Sequence, residues 1–120
     1  MKDLKDKNDE IGTVEYVSML YDFYGDLLSD GRREVMALYH EDNLSLSEIA
    51  EELGMTRQAV HYSLKKAEKA LQGYEDKLGL LEEYERKQKL AEKALNILEK
   101  SGASESEGRE LTDIIRKLAE

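Results

Sequence analysis

The sequence predicts an all-α chain organised around a helix-turn-helix, with a long helical arm after it. Three observations carry this. First, residues 44–71 hold two apolar rows at helical spacing, Leu46, Ile49, Ala50, Leu53 and then Val60, Leu64, Ala67, Leu71. Second, stop and start signals separate the rows. Ser45 and Glu48 have the spacing of a capping box, Gly54 can take the positive φ of a helix stop, and Thr56 can cap the second helix. Third, 120 residues with no proline and eight glycines suit long helices with a few breaks.

In chain order, residues 1–12 alternate in charge and form a loose tail. A first helix is expected over residues 13–28. Its apolar stripe is wide: Tyr16, Val17, Leu20, Phe23, Tyr24, Leu27 and Leu28. Such a stripe serves either the core alone or the core and a partner. Ser29-Asp30-Gly31 breaks the chain. A second helix follows over residues 32–40, burying Val35, Leu38 and Tyr39. Glu41-Asp42-Asn43 turns into the motif. Ala50, four residues before Gly54, is the small side chain expected where the two motif helices cross.

After Leu71 the chain pauses at Gly73 and Gly79, within a long amphipathic helix over about residues 74–100. Its stripe runs Tyr74, Leu78, Leu81, Ala91, Leu95 and Leu98, against a charged face of Lys87, Lys89, Glu92 and Lys93. Residues 101–104 are a linker. Ser104 and Glu107 repeat the capping box, and Leu111, Ile114, Ile115 and Leu118 make a last stripe. The expected division is a tail (1–12), a helix-turn-helix domain (13–72) and a C-terminal helical arm (73–120). The expected core is Leu20, Phe23, Leu27, Val35, Leu38, Ile49, Leu53, Val60 and Leu64.

The segment LLSDGRREVMALYHEDNLSLSEIAEELGMTRQAVHYSLKKAEKAL, residues 27–71, resembles region four of bacterial sigma factors. The resemblance rests on a helix before the motif and on E-I-A-x-x-L-G at Glu48–Gly54. The start of that preceding helix departs from sigma-like proteins, which carry a longer cap segment there. T-R-Q-A-V at 56–60, Y-E-D-K-L at 74–78 and the acidic helical remainder are similar to the YlxM-like family of small bacterial proteins. That likeness spans about residues 14–100. It implies a sigma region four-like fold, of the winged-helix-like DNA-binding class without a wing. It also implies a regulatory part in the signal recognition particle pathway, beside whose GTPase gene the family's genes lie.

Eighteen Lys and Arg against 27 Asp and Glu give a net charge of −9. Phosphate neutralisation supplies most nucleic-acid affinity, so the basic residues must be concentrated locally or DNA is not the partner. The second motif helix is locally basic, with Arg57, Lys65, Lys66 and Lys69 against Glu68. A helix-turn-helix places that helix in the major groove. Its outward positions are Thr56, Arg57, Gln58, His61, Tyr62 and Lys65, with Lys65, Lys66 and Lys69 suited to phosphates. Arg57 matches guanine N7 and O6, and Gln58 matches adenine N6 and N7. Against this, Glu48, Glu51 and Glu52 lie on the helix that would cross the backbone.

An enzyme is not expected. There is no cysteine, no metal-ligand spacing around His40 or His61, no Gly-rich phosphate loop and no nucleophile elbow. No cofactor or metal is implied. The N-terminus lacks a signal-peptide core and no run is long enough to span a membrane. With the resemblance, this points to the bacterial cytosol. The expected partner is nucleic acid, either DNA or the signal recognition particle RNA. The alternative is a helical dimeric adaptor that binds the particle's GTPase or RNA without sequence-specific DNA binding. A homodimer is expected through the arm's stripe and the aromatic first helix. A monomer closed by the last stripe is the competing arrangement.

Overall fold

The computed structural model describes residues 10–120, with side chains from Val14 onward. Six α-helices follow one another: α1 (Glu10–Tyr24), α2 (Asp30–His40), α3 (Leu46–Leu53), α4 (Arg57–Leu78), α5 (Leu80–Glu99) and α6 (Glu105–Leu118), with a 3-10 turn at Gly25–Leu27. No strand occurs among the described residues. The chain divides into two compact units, Met1–Leu78 and Gly79–Glu120. Most of the tail expected over residues 1–12 lies outside the described residues, and residues 10–12 belong to α1.

In the first unit α4 is the common element, packed against α1, α2 and α3. Val60, Leu64, Ala67 and Leu71 form its inward row, and all four are buried. Around them lie Val17, Leu20, Tyr24, Leu28, Val35, Met36, Ile49 and Ala50. Both local devices of the motif form. The Ser45 hydroxyl accepts the Glu48 N–H at 3.1 Å, while the Glu48 carboxylate accepts the Ser45 N–H at 2.8 Å. Gly54 stops α3 in the left-handed region at φ 67°, where a Cβ would be strained. Thr56 Oγ1 accepts the Ala59 N–H at 3.0 Å and opens α4. Ala50, buried and one turn before Gly54, leaves no room to grow. Ala50→Leu is expected to cost about 1–3 kcal/mol by overpacking, measurable as a lower urea midpoint. An unchanged midpoint would show that the helices cross elsewhere.

Several sequence expectations change. The first helix ends at Tyr24, and residues 25–27 tighten into 3-10 geometry. The wide stripe is divided between core and surface. Tyr24 and Leu28 go to the core, whereas Tyr16, Phe23 and Leu27 are exposed, Leu27 by 54%. Phe23 and Leu27 therefore leave the expected core. Leu38 and Leu53 are only half-buried, and Met36 is fully buried in their place. The break before α2 comes earlier than Ser29-Asp30-Gly31, since Asp30 and Gly31 are already helical.

Gly73 does not interrupt α4. Its cost of about 1 kcal/mol against alanine is offset by contacts of the two residues after it. The Tyr24 hydroxyl donates to Glu75 Oε1 at 2.6 Å, and the Tyr74 hydroxyl donates to the Leu27 carbonyl at 3.2 Å. Residues 73–78, placed with the arm from sequence, thus continue α4. No single helix spans residues 74–100. Gly79, at φ 63°, ends α4 and opens α5.

Two polar groups inside the first unit are notable. Tyr21 donates to Glu41 at 2.6 Å, and partial burial with that carboxylate pushes its pKa up to about 12. His40 stacks on Tyr21, with Tyr39 edge-on. Its Nε2 is buried without a hydrogen-bond partner. Burial holds its pKa below the usual histidine value, against an opposing pull from Asp22.

The second unit is a helical hairpin in which α5 packs on α6. Gln88 donates to the Ala119 carbonyl at 2.9 Å, fixing which turn faces which. The Ser104–Glu107 capping box is formed. Of the expected stripe of α6, Ile115 alone lies in the row facing α5. Gly108, Thr112, Ile115 and Ala119 are the covered row of α6, and Leu111, Ile114 and Leu118 are exposed.

Candidate nucleic-acid interface

The inward row of α4 fixes what its other side presents. Residues three and four apart share a face, so burying Val60, Leu64 and Ala67 turns Arg57, Gln58, His61, Tyr62, Lys65 and Lys69 outward together. All six are exposed. Thr56 is exposed as well, but its hydroxyl oxygen is engaged as the helix cap. A threonine in that role can still donate its own proton. Lys66 is half-buried, and its ammonium sits 5.4 Å from the centre of the Tyr62 ring. At that distance the ring face attracts the charge.

The cations of this helix differ in their freedom. Lys65 Nζ lies 3.5 Å from Glu68, an i,i+3 pair. Such an exposed pair is weak and opens readily toward a competing phosphate. Lys66 is committed to Tyr62. Arg57 stands at the start of the helix and Lys69 three turns along, so together they span the exposed face. Four cations against Glu68 give this segment a positive charge inside a chain of net −9. The positive N-terminal end of the α4 dipole adds to it.

The facing helix carries the opposite sign. Glu48, Glu51 and Glu52 are exposed on α3. Glu48 is tied to the N–H of Ser45, which places its charge at the start of α3. Glu51 and Glu52 add two further exposed carboxylates to the same helix. Sequence spacing had placed all eight candidate residues on or beside one helix. It also marked Thr56 as the helix cap, but it could not show the partners of Lys65 and Lys66, because these depend on side-chain packing along α4.

Residues 12–113 match the family UPF0122, described as "Putative helix-turn-helix protein, YlxM / p13 like". The chain belongs to this family. It is 40% identical over 102 residues to a UPF0122 protein of Bacillus mycoides (strain KBAB4), covering 85% of this chain and 93% of the relative. A UPF0122 protein of Desulforamulus reducens is 40% identical over 106 residues, covering 87% of this chain and 91% of the relative. One from Bacillus thuringiensis (strain Al Hakam) is 39% identical over 102 residues, with 85% and 93% covered. UPF0122 is a helix-turn-helix family. Among the described residues, no helix is long and apolar enough to cross a membrane.

Proposed function

We propose that this UPF0122 protein is a regulatory, nucleic-acid-binding protein that takes its ligand on the outward face of α4. The observation that carries the reading is the exposed row from Arg57 to Lys69, locally basic in an acidic chain. Arg57 and Gln58 are the candidate readers of base edges. Tyr62 offers a ring for stacking, and Lys65 and Lys69 are the candidate phosphate contacts. The resemblance to YlxM-like proteins supports a ligand in the signal recognition particle pathway, either DNA or the particle's RNA, and a place in the cytoplasm.

A second reading is favoured by the carboxylates of α3. Glu51 and Glu52 would repel a duplex backbone lying across that helix. In this reading the motif is a scaffold, and the protein is an adaptor for the particle's GTPase or RNA. Equilibrium binding to duplex DNA and to structured RNA, titrated from about 50 to 200 mM salt, separates the two. The first reading expects affinity for one of them that falls steeply with salt and is lost in Arg57→Ala and Lys65→Ala, whereas an adaptor that binds RNA through another face keeps it in both variants. Binding to neither, with the GTPase retained, would replace it with the adaptor.

A further inference from the structure

The hairpin of α5 and α6 has one polar side and one apolar side. On the apolar side Leu90 and Ile97 of α5 and Leu111, Ile114 and Leu118 of α6 are all exposed, Ile97 by 61% and Leu118 by 72%. A shallow groove of about 280 Å³ runs between Leu90, Ala94, Ile115 and Leu118. Two helices alone cover only one face of each other, so this side needs an occupant.

The spacing of the face identifies the occupant. We infer that it is the same face of a second copy of this chain, in antiparallel register about a two-fold axis. Leu90 and Ile97 are seven residues apart, and so are Leu111 and Leu118. Reversing a second copy sets Leu90 against Ile97 of that copy and Leu111 against its Leu118. The midpoint of the first row falls between residues 93 and 94, and that of the second between residues 114 and 115. The Gln88–Ala119 hydrogen bond holds those two midpoints at nearly the same level of the hairpin. One axis therefore satisfies both rows, which an isologous interface requires. Ile114 falls next to the axis and meets its own counterpart.

Charge agrees with this register. Glu110 and Lys117 flank the α6 row, also seven apart, with opposite signs. The antiparallel pairing brings Glu110 beside Lys117 of the second copy, twice. Lys93 lies near the axis on the α5 row, where its long stem can carry the ammonium out to water. The product is a four-helix bundle, the smallest closed arrangement that covers both apolar faces. The inference is independent of what α4 binds.

Sedimentation of the full chain at tens of micromolar tests it. The expected result is a species of twice the chain mass. Ile114→Asp, at a side chain already exposed in one copy, is expected to give a monomer with unchanged helical circular dichroism. Glu110→Lys and Lys117→Glu should each weaken the dimer about tenfold, and the two together should restore it. A wild-type monomer overturns the inference, as does a dimer indifferent to Ile114→Asp. A double charge swap no tighter than either single swap overturns the register.

Discussion

Tyr24→Ala is expected to lower the stability of the helix-turn-helix unit by about 3–5 kcal/mol, most of what a small domain possesses. Tyr24 is almost completely buried, and its hydroxyl donates to Glu75. Its ring lies 6.0 Å from that of Tyr74. The substitution therefore removes a large core side chain and loosens the join between α1 and the last turns of α4. Its neighbour supplies the control. Phe23 has similar bulk but is partly exposed, so Phe23→Ala should cost only about 1–2 kcal/mol. Chemical denaturation of both variants measures the difference. Equal losses would mean that the aromatic face of α1 is not divided between core and surface.

The second large effect is expected at α4. Lys69→Ala should weaken nucleic-acid binding across all sequences and reduce the salt slope by about one. Lys65→Ala should do less, because that ammonium is shared with Glu68. Lys66→Ala should do least, since its charge rests against Tyr62. Arg57→Ala should cost about 1–3 kcal/mol on a preferred sequence and little on others. A fluorescence-anisotropy titration of each variant gives the order. If Lys66→Ala proved the most damaging, the ligand would lie on a different side of the helix.

Much of the fold was legible because its signals are local. Ser45 with Glu48, Gly54, and Ser104 with Glu107 act within one helical turn, and each does in the structure what its spacing implies. The rows of α3 and α4 were equally plain, since each belongs to one helix with one buried side. Legibility failed where a decision needed a distant partner. Gly73 looks like a pause until Tyr24 and Leu27 supply contacts to the residues after it. Leu111, Ile114 and Leu118 look like the packed row of α6. The row that meets α5 is instead the one holding Gly108, Thr112, Ile115 and Ala119. Hydrophobicity alone favours the larger residues, and no local rule corrects it. The candidate site was visible for the opposite reason. An exposed face is what remains once the buried row of the same helix is known, but the pairing of Lys65 and Lys66 with their neighbours is not contained in that subtraction.

The geometry of α4 also bears on how this chain can change over generations. One 22-residue helix serves as the axis of the core and carries the exposed row as well. The two tasks use different residues: Val60, Leu64, Ala67 and Leu71 face in, while Arg57, Gln58, His61, Tyr62, Lys65 and Lys69 face out. Exchanges at exposed positions usually alter stability by less than about 0.5 kcal/mol. The outward row can therefore be rewritten one residue at a time without endangering the fold, and a lineage can acquire a new ligand while inheriting an unaltered scaffold.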